Sequence, residues 1–119
     1  MYRARLVACG YSQIAGVDFT EHTSPVINDV TWRILLLIKM IMRLQSKIVD
    51  VEIAILNGDL EEEIYMECPE GMEHDDDECV QLLQTIYGLV QSARQWWKKL
   101  VSILKSIGLK GGNIDECMM

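Results

Sequence analysis

The stretch Ile48-Val49-Asp50-Val51-Glu52-Ile53-Ala54-Ile55-Leu56-Asn57-Gly58 decides how this chain is read. Successive strand side chains point to opposite faces. Val49, Val51, Ile53 and Ile55 therefore share one face of an extended segment, and Ile48, Asp50, Glu52 and Ala54 share the other. The alternation predicts a strand over Ile48 to Leu56. Asn57-Gly58 is a strong turn signal, so Leu60 to Glu67 is expected to return as the second strand of a hairpin.

Asp50 is the sharpest chemical candidate. An ionised carboxylate among valines and isoleucines is costly unless it is paired, exposed or bound to a cation. With Glu52 on the same face, a divalent metal is a sensible partner. The competing reading is an outer face carrying two solvated carboxylates. On pattern alone that reading is favoured, because half-exposed alternating strands are common.

Upstream, Arg3-Ala4-Arg5-Leu6-Val7-Ala8 reads as a short strand with Arg3 and Arg5 on one face. Gly10 and Gly16 bracket a loop, and Ser24-Pro25-Val26 is extended because proline biases its predecessor away from the helical region. Asn28, Asp29 or Thr31 is placed to cap a helix running to about Ser46. That helix is apolar on nearly every side, which predicts burial. Downstream, Pro69, Gly71 and the run Asp75-Asp76-Asp77-Glu78 form an exposed loop. The run lacks the spaced ligands and central glycine of a calcium loop, so it is read as solvated charge.

Tyr87-Gly88 marks a turn, and Ser92 with Gln95 forms a capping-box pattern at the start of a second helix. Trp96, Leu100, Ile103, Leu104 and Ile107 recur on its inner face, Lys98, Lys99 and Lys105 fall mostly outside, and Gly108 is a terminator. Trp96 and Trp97 are assigned to packing rather than to base stacking. Taken together, the pattern predicts an α+β domain of antiparallel strands packed with two main helices.

At 119 residues, half of them apolar and a quarter charged, the chain has the composition of one globular domain. The longest apolar run, Ile34 to Leu44, is broken by Lys39 and Arg43 and is too short for a bilayer. With no secretory leader pattern, a soluble intracellular protein with no membrane partner is expected, without distinction between cytoplasm and nucleus. Cys9, Cys68, Cys79 and Cys117 have no metal-binding spacing and are read as free thiols; His22 and His74 have no partner at useful spacing. The net charge of −7 works against nucleic-acid binding. It is unevenly spread: Lys and Arg are absent between Ile48 and Ala93, where acids crowd from Asp50 to Glu78.

The order of segments goes further than any one motif. Arg3-Ala4-Arg5-Leu6-Val7-Ala8, Gly10-Tyr11-Ser12-Gln13 and Gly16-Val17-Asp18-Phe19 are followed by Ser24-Pro25-Val26, Asp50-Val51 and Leu56-Asn57-Gly58. Glu62-Glu63-Ile64-Tyr65-Met66-Glu67, Pro69-Glu70-Gly71 and Tyr87-Gly88-Leu89 come next, then Gln91, Arg94, Trp96 and Lys98-Lys99-Leu100. This succession resembles the reverse transcriptase domain of copia-type retrotransposons and covers residues 1–119. The resemblance implies part of the fingers and palm of a right-hand polymerase. It implies template-primer and deoxynucleoside triphosphate as partners, and leaves any protein partner unidentified.

The family's chemistry is nucleotidyl transfer with two Mg2+ ions clamping the attacking and leaving oxygens. The resemblance puts the first metal-holding carboxylate at Asp50, with the backbone carbonyl of Val51 assisting. It puts Arg5 near the incoming triphosphate, and Gln91 near nucleotide and template. The Asp-Asp hairpin that completes the family's metal site has no counterpart in these residues; Asp75-Asp76-Asp77 lies in the wrong place and has no apolar strand before it. The expectation is therefore an inactive fragment of an RNA-directed DNA polymerase, the alternative being a host-retained module that binds protein or nucleic acid without catalysis. Cys9, Asn28, Glu52, Gln81, Leu83, Gln84 and Val90 stand where the family usually has lysine, each a lost phosphate contact. Ile55 replaces the aromatic that screens the sugar hydroxyl, and Ala93 replaces a proline. These departures read as drift away from catalysis.

Overall fold

The computed structural model describes residues 4–112 and 115–119. Arg3, expected to share a strand face with Arg5, lies outside the described residues. The elements are helix α1 (Asp29–Ile41), strands β1 (Asp59–Glu67) and β2 (Cys79–Gln84), and helix α2 (Ser92–Ser106), an α+β arrangement. Short 3-10 turns stand at Gly10–Ser12 and Ala54–Asn57. The chain divides into two compact units, one of residues 1–24 and 53–100, the other of 25–52 and 101–119.

In the first unit β1 and β2 form a two-stranded antiparallel sheet, with Ile64 opposite Leu82, Tyr65 opposite Gln81 and Glu67 opposite Cys79. An irregularity between Asp59 and Ile64 restores register at Asp59 and Gln84. Along β1 the side chains alternate as period two requires: Asp59, Glu61, Glu63, Tyr65 and Glu67 are exposed, and Leu60, Glu62, Ile64 and Met66 are covered or half covered. The hairpin predicted at Asn57-Gly58 is thus replaced by one between β1 and β2, joined by residues 68–78, of which 70–78 are exposed. Segment 79–84, not foreseen as a strand, supplies the partner.

The strand predicted over Ile48 to Leu56 does not form. Ile48 and Val49 are exposed and irregular, and Ala54–Asn57 winds into a 3-10 turn. A strand needs a neighbour for its N–H and C=O groups. In the described residues β1 and β2 take each other, leaving residues 48–52 without a ladder. Ile53 enters the turn at φ 47°, ψ 36°, an unusual place for a β-branched residue. Of the strand expected over Arg3 to Ala8, the described residues 4–8 show one parallel bridge, between Val7 and Tyr87.

Buried side chains in the first unit are few and mostly polar: Ile64 and Leu89 accompany Thr85, Gln91, Ser92 and Gln95. Thr85 and Ser92 are hydrogen-bonded to backbone carbonyls. The Thr85 hydroxyl donates to the Ile55 carbonyl, and its amide donates to the Gly58 carbonyl at 3.0 Å. Ser92 Oγ donates to the Ile86 carbonyl at 2.6 Å, so the capping box predicted for Ser92 and Gln95 is not made. The helix instead opens with the Gln95 amide on the Gln91 carbonyl at 3.0 Å. Buried hydroxyls and amides are tolerated when bonded in this way.

In the second unit the Asn28 side chain caps α1, accepting from the Val30 amide at 2.8 Å. The Asn28 amide itself donates to Asp115 Oδ2 at 2.9 Å. The helix ends at Ile41 rather than near Ser46, with Arg43 at φ 51° after it. No residue of α1 is buried, which overturns the burial expected from its all-round apolarity. Such a helix needs cover on several sides, and among the described residues its own unit has no strand to give it. The end of α2 is as foreseen. Gly108 adopts φ 96°, its amide donates to Lys105 O at 3.0 Å, and Leu109 donates to Leu104 O at 3.1 Å, the paired bonds of a glycine-terminated helix. Trp96 is half buried, but Ile103 and Ile107 are exposed, so the predicted inner stripe is covered only in part.

Candidate nucleotide-side junction

Two glycines bring the first segment and the turn before α2 together. Gly88 has φ 93°, and a Cβ there would strike the Ala8 carbonyl; a Cβ at Gly10 would strike the Gly88 carbonyl. The Ala8 amide donates to Tyr87 O at 2.8 Å, continuing the Val7–Tyr87 bridge. The two backbones can approach this closely only because both positions lack a side chain.

Arg5 is exposed, and its guanidinium carbon lies 5.6 Å from the centre of the Tyr87 ring, within range of a cation–π contact. Gln91 is fully buried. Its Nε2 donates to the Asp18 carbonyl at 3.1 Å, and its Oε1 accepts from Gln13 Nε2 at 3.1 Å. Gln13 Oε1 in turn accepts from the Val90 amide at 2.8 Å. Arg5 and Gln91 thus belong to one junction through Tyr87 and the turn that follows it. Asp50 and Val51 belong to the other unit and are exposed.

An ionic lattice borders the junction. Arg94 bonds Glu21 at 3.1 Å and lies 4.7 Å over the Trp97 ring. Lys98 bridges Glu61 at 3.0 Å and Glu21 at 3.6 Å, and Lys99 meets Asp59 at 2.6 Å. The Arg94 hydrogen bond, then its charge, holds the Glu21 carboxyl below the usual carboxylate range. The Lys98 hydrogen bond does the same for Glu61, and Glu61 reciprocally raises Lys98. Two of the three lysines predicted to stand outside the apolar stripe of α2, Lys98 and Lys99, are therefore engaged with acids of β1.

Asp50 with the Val51 carbonyl offers one carboxylate and one neutral oxygen. No group of three or more His, Cys, Asp or Glu side chains that could hold a metal occurs among the described residues. Mg2+ requires an octahedral set of hard oxygens, and this donor set does not fit it.

Sequence reasoning missed Gln13 and Tyr87 as parts of the junction, and Thr85 as the buried tie to the Ile55 and Gly58 carbonyls. Gln13 and Tyr87 lie in the ordered blocks quoted above, but no periodicity marks a polar residue whose partner is 78 positions away. Thr85 follows a strand that was itself unforeseen.

Residues 1–119 match the family model described as "Reverse transcriptase (RNA-dependent DNA polymerase)", and the chain belongs to that family. Over 119 residues it is 44% identical to the Retrovirus-related Pol polyprotein from transposon TNT 1-94 of Nicotiana tabacum, with 98% of this chain and 9% of that polyprotein covered. It is 39% and 38% identical to the Pol polyproteins from transposons RE2 and RE1 of Arabidopsis thaliana, with 98% of this chain and 8% of each relative covered. The chain spans less than a tenth of the length of these relatives. No solved structure matches it. No helix among the described residues is long and apolar enough to cross a membrane.

Proposed function

We propose that these residues are the fingers and part of the palm of a copia-type RNA-directed DNA polymerase, and that by themselves they do not polymerise. The junction is the nucleotide side of this segment. Arg5 faces the triphosphate, and Gln91 anchors from within the turn on which nucleotide and template rest. The observation that carries the reading is that both family-matched positions belong to one substructure, Arg5 over Tyr87 and Gln91 four residues on. Inactivity follows from the donor set. Asp50 is one carboxylate on an exposed segment, whereas in-line phosphoryl transfer between two clamped oxygens needs several. Template-primer binding by this chain is weak, since its net charge is −7 and seven family lysine positions are lost.

A Mn2+ titration followed by nuclear magnetic resonance tests the metal half of this reading. Paramagnetic broadening at Val49 to Glu52 is expected to be no stronger than at Asp75 to Glu78, and Asp50→Asn is expected to leave the overall order unchanged. A saturable site centred on Asp50 and removed by Asp50→Asn would refute it.

A further inference from the structure

Gln13 has a place in the junction that the family chemistry does not assign. Three hydrogen bonds run head to tail: Val90 N–H to Gln13 Oε1 at 2.8 Å, Gln13 Nε2 to Gln91 Oε1 at 3.1 Å, and Gln91 Nε2 to the Asp18 carbonyl at 3.1 Å. Side-chain amides are usually ambiguous between oxygen and nitrogen. Here the ends of the relay are a backbone donor and a backbone acceptor, whose polarity is fixed. The orientation of both amides follows from those ends. Gln13 must accept from Val90 and donate to Gln91, and a residue able to do only one of these breaks the relay.

We propose that Gln13 is a positioning residue which, acting through Gln91, fixes the loop around Gly10 to Phe19 on the turn from Tyr87 to Ser92. It thereby sets the place from which Arg5 reaches a nucleoside triphosphate. The last step rests on the nucleotide-side reading above; the relay itself does not. Among the described residues, backbone contact at this junction comes from the Val7–Tyr87 bridge with its Ala8–Tyr87 bond and from the glycine approach. Beyond them, the half-buried Gln13 amide and the buried Gln91 amide hold the loop and the turn together. Breaking the relay leaves a donor or acceptor at the junction unpaired, which carries the full desolvation cost of that group.

The test uses the 119-residue chain with two variants, each read by Val90 amide exchange and by the Arg5 Nε–H resonance during titration with dTTP and Mg2+. Gln13→Leu removes both bonds, so Val90 exchange should rise about tenfold or more, because its amide then has no partner. Gln13→Glu keeps the acceptor for Val90 but loses the donor to Gln91. Val90 protection should persist while the Gln91 side-chain amide resonances shift, a split that simple loss of packing would not give. In both variants the dTTP response of Arg5 should need about tenfold more ligand, equivalent to about 1.4 kcal/mol. Unchanged Val90 exchange in Gln13→Leu overturns the relay. Unchanged dTTP response despite lost Val90 protection overturns the positioning role. If the parent chain shows no Arg5 response while Val90 behaves as described, the nucleotide-side reading fails and the relay stands.

Discussion

Gly58→Ala sets two physical effects of opposite sign against each other. The backbone at Gly58 has φ −71° and ψ 137°, a conformation any L-residue adopts. Chain entropy alone therefore predicts that alanine stabilises by about 0.4–1 kcal/mol. The space does not permit it. A Cβ would lie 2.5 Å from Thr85 Oγ1, 3.1 Å from the Trp96 nitrogen and 3.3 Å from the Gln95 carbonyl carbon. Two of these neighbours are helix backbone, and the third is held by its bond to the Ile55 carbonyl. Overpacking costs about 1–3 kcal/mol, and pushing Thr85 off its acceptor adds about 1 kcal/mol or more. The net expectation is a loss of about 1–3 kcal/mol. Urea unfolding followed by tryptophan emission reads it, with Gly111→Ala as control, because the nearest atom to a Cβ there is 3.9 Å away. Gly58→Ala as stable as the parent would refute the close packing of the turn on α2.

The ionic lattice predicts a pH window. Glu21 and Glu61 are depressed below 4.5 and Lys98 is raised above 10.5. The carboxylate contribution is present above about 4.5 and lost as pH falls through the lower folded values; the Lys98 contribution is present below about 10.5 and lost as pH rises through its folded value. Thermal unfolding should be flat between those limits, and Glu61→Gln should weaken the acid-side loss; being exposed, these pairs give a small effect. The apolar surface of α1 predicts self-association. Leu37→Lys with Ile41→Glu, at positions 56% and 80% exposed, should lower the apparent particle size in light scattering without changing α1 helicity, because exposed apolar patches drive association.

The parts of this fold legible in the sequence were those fixed locally. Asn28 caps α1, Gly108 ends α2, and the alternation of Leu60 to Glu67 makes a strand, since each depends on a few neighbouring residues. What failed depended on distant partners. Ile48 to Leu56 carries the alternation of a strand, yet alternation does not provide a second strand to pair with. The all-round apolarity of α1 says that it needs cover, without supplying it. Ser92 and Gln95 match a capping box, but the Ile86 carbonyl, brought near by the turn at Gly88, takes the Ser92 hydroxyl first. At the candidate site, Arg5, Gln91, Asp50 and Val51 were named from the family resemblance. The residues that hold the first two in place, Tyr87 and Gln13, act across more than 75 positions and leave no local pattern.

Primer extension tests the central claim most directly. The 119-residue chain, shown to be folded by slow exchange at Val90, is given a primed template, the four deoxynucleoside triphosphates and Mg2+. No extension above a protein-free control is expected. Mg2+-dependent extension by this chain alone, abolished by Asp50→Asn, would contradict it.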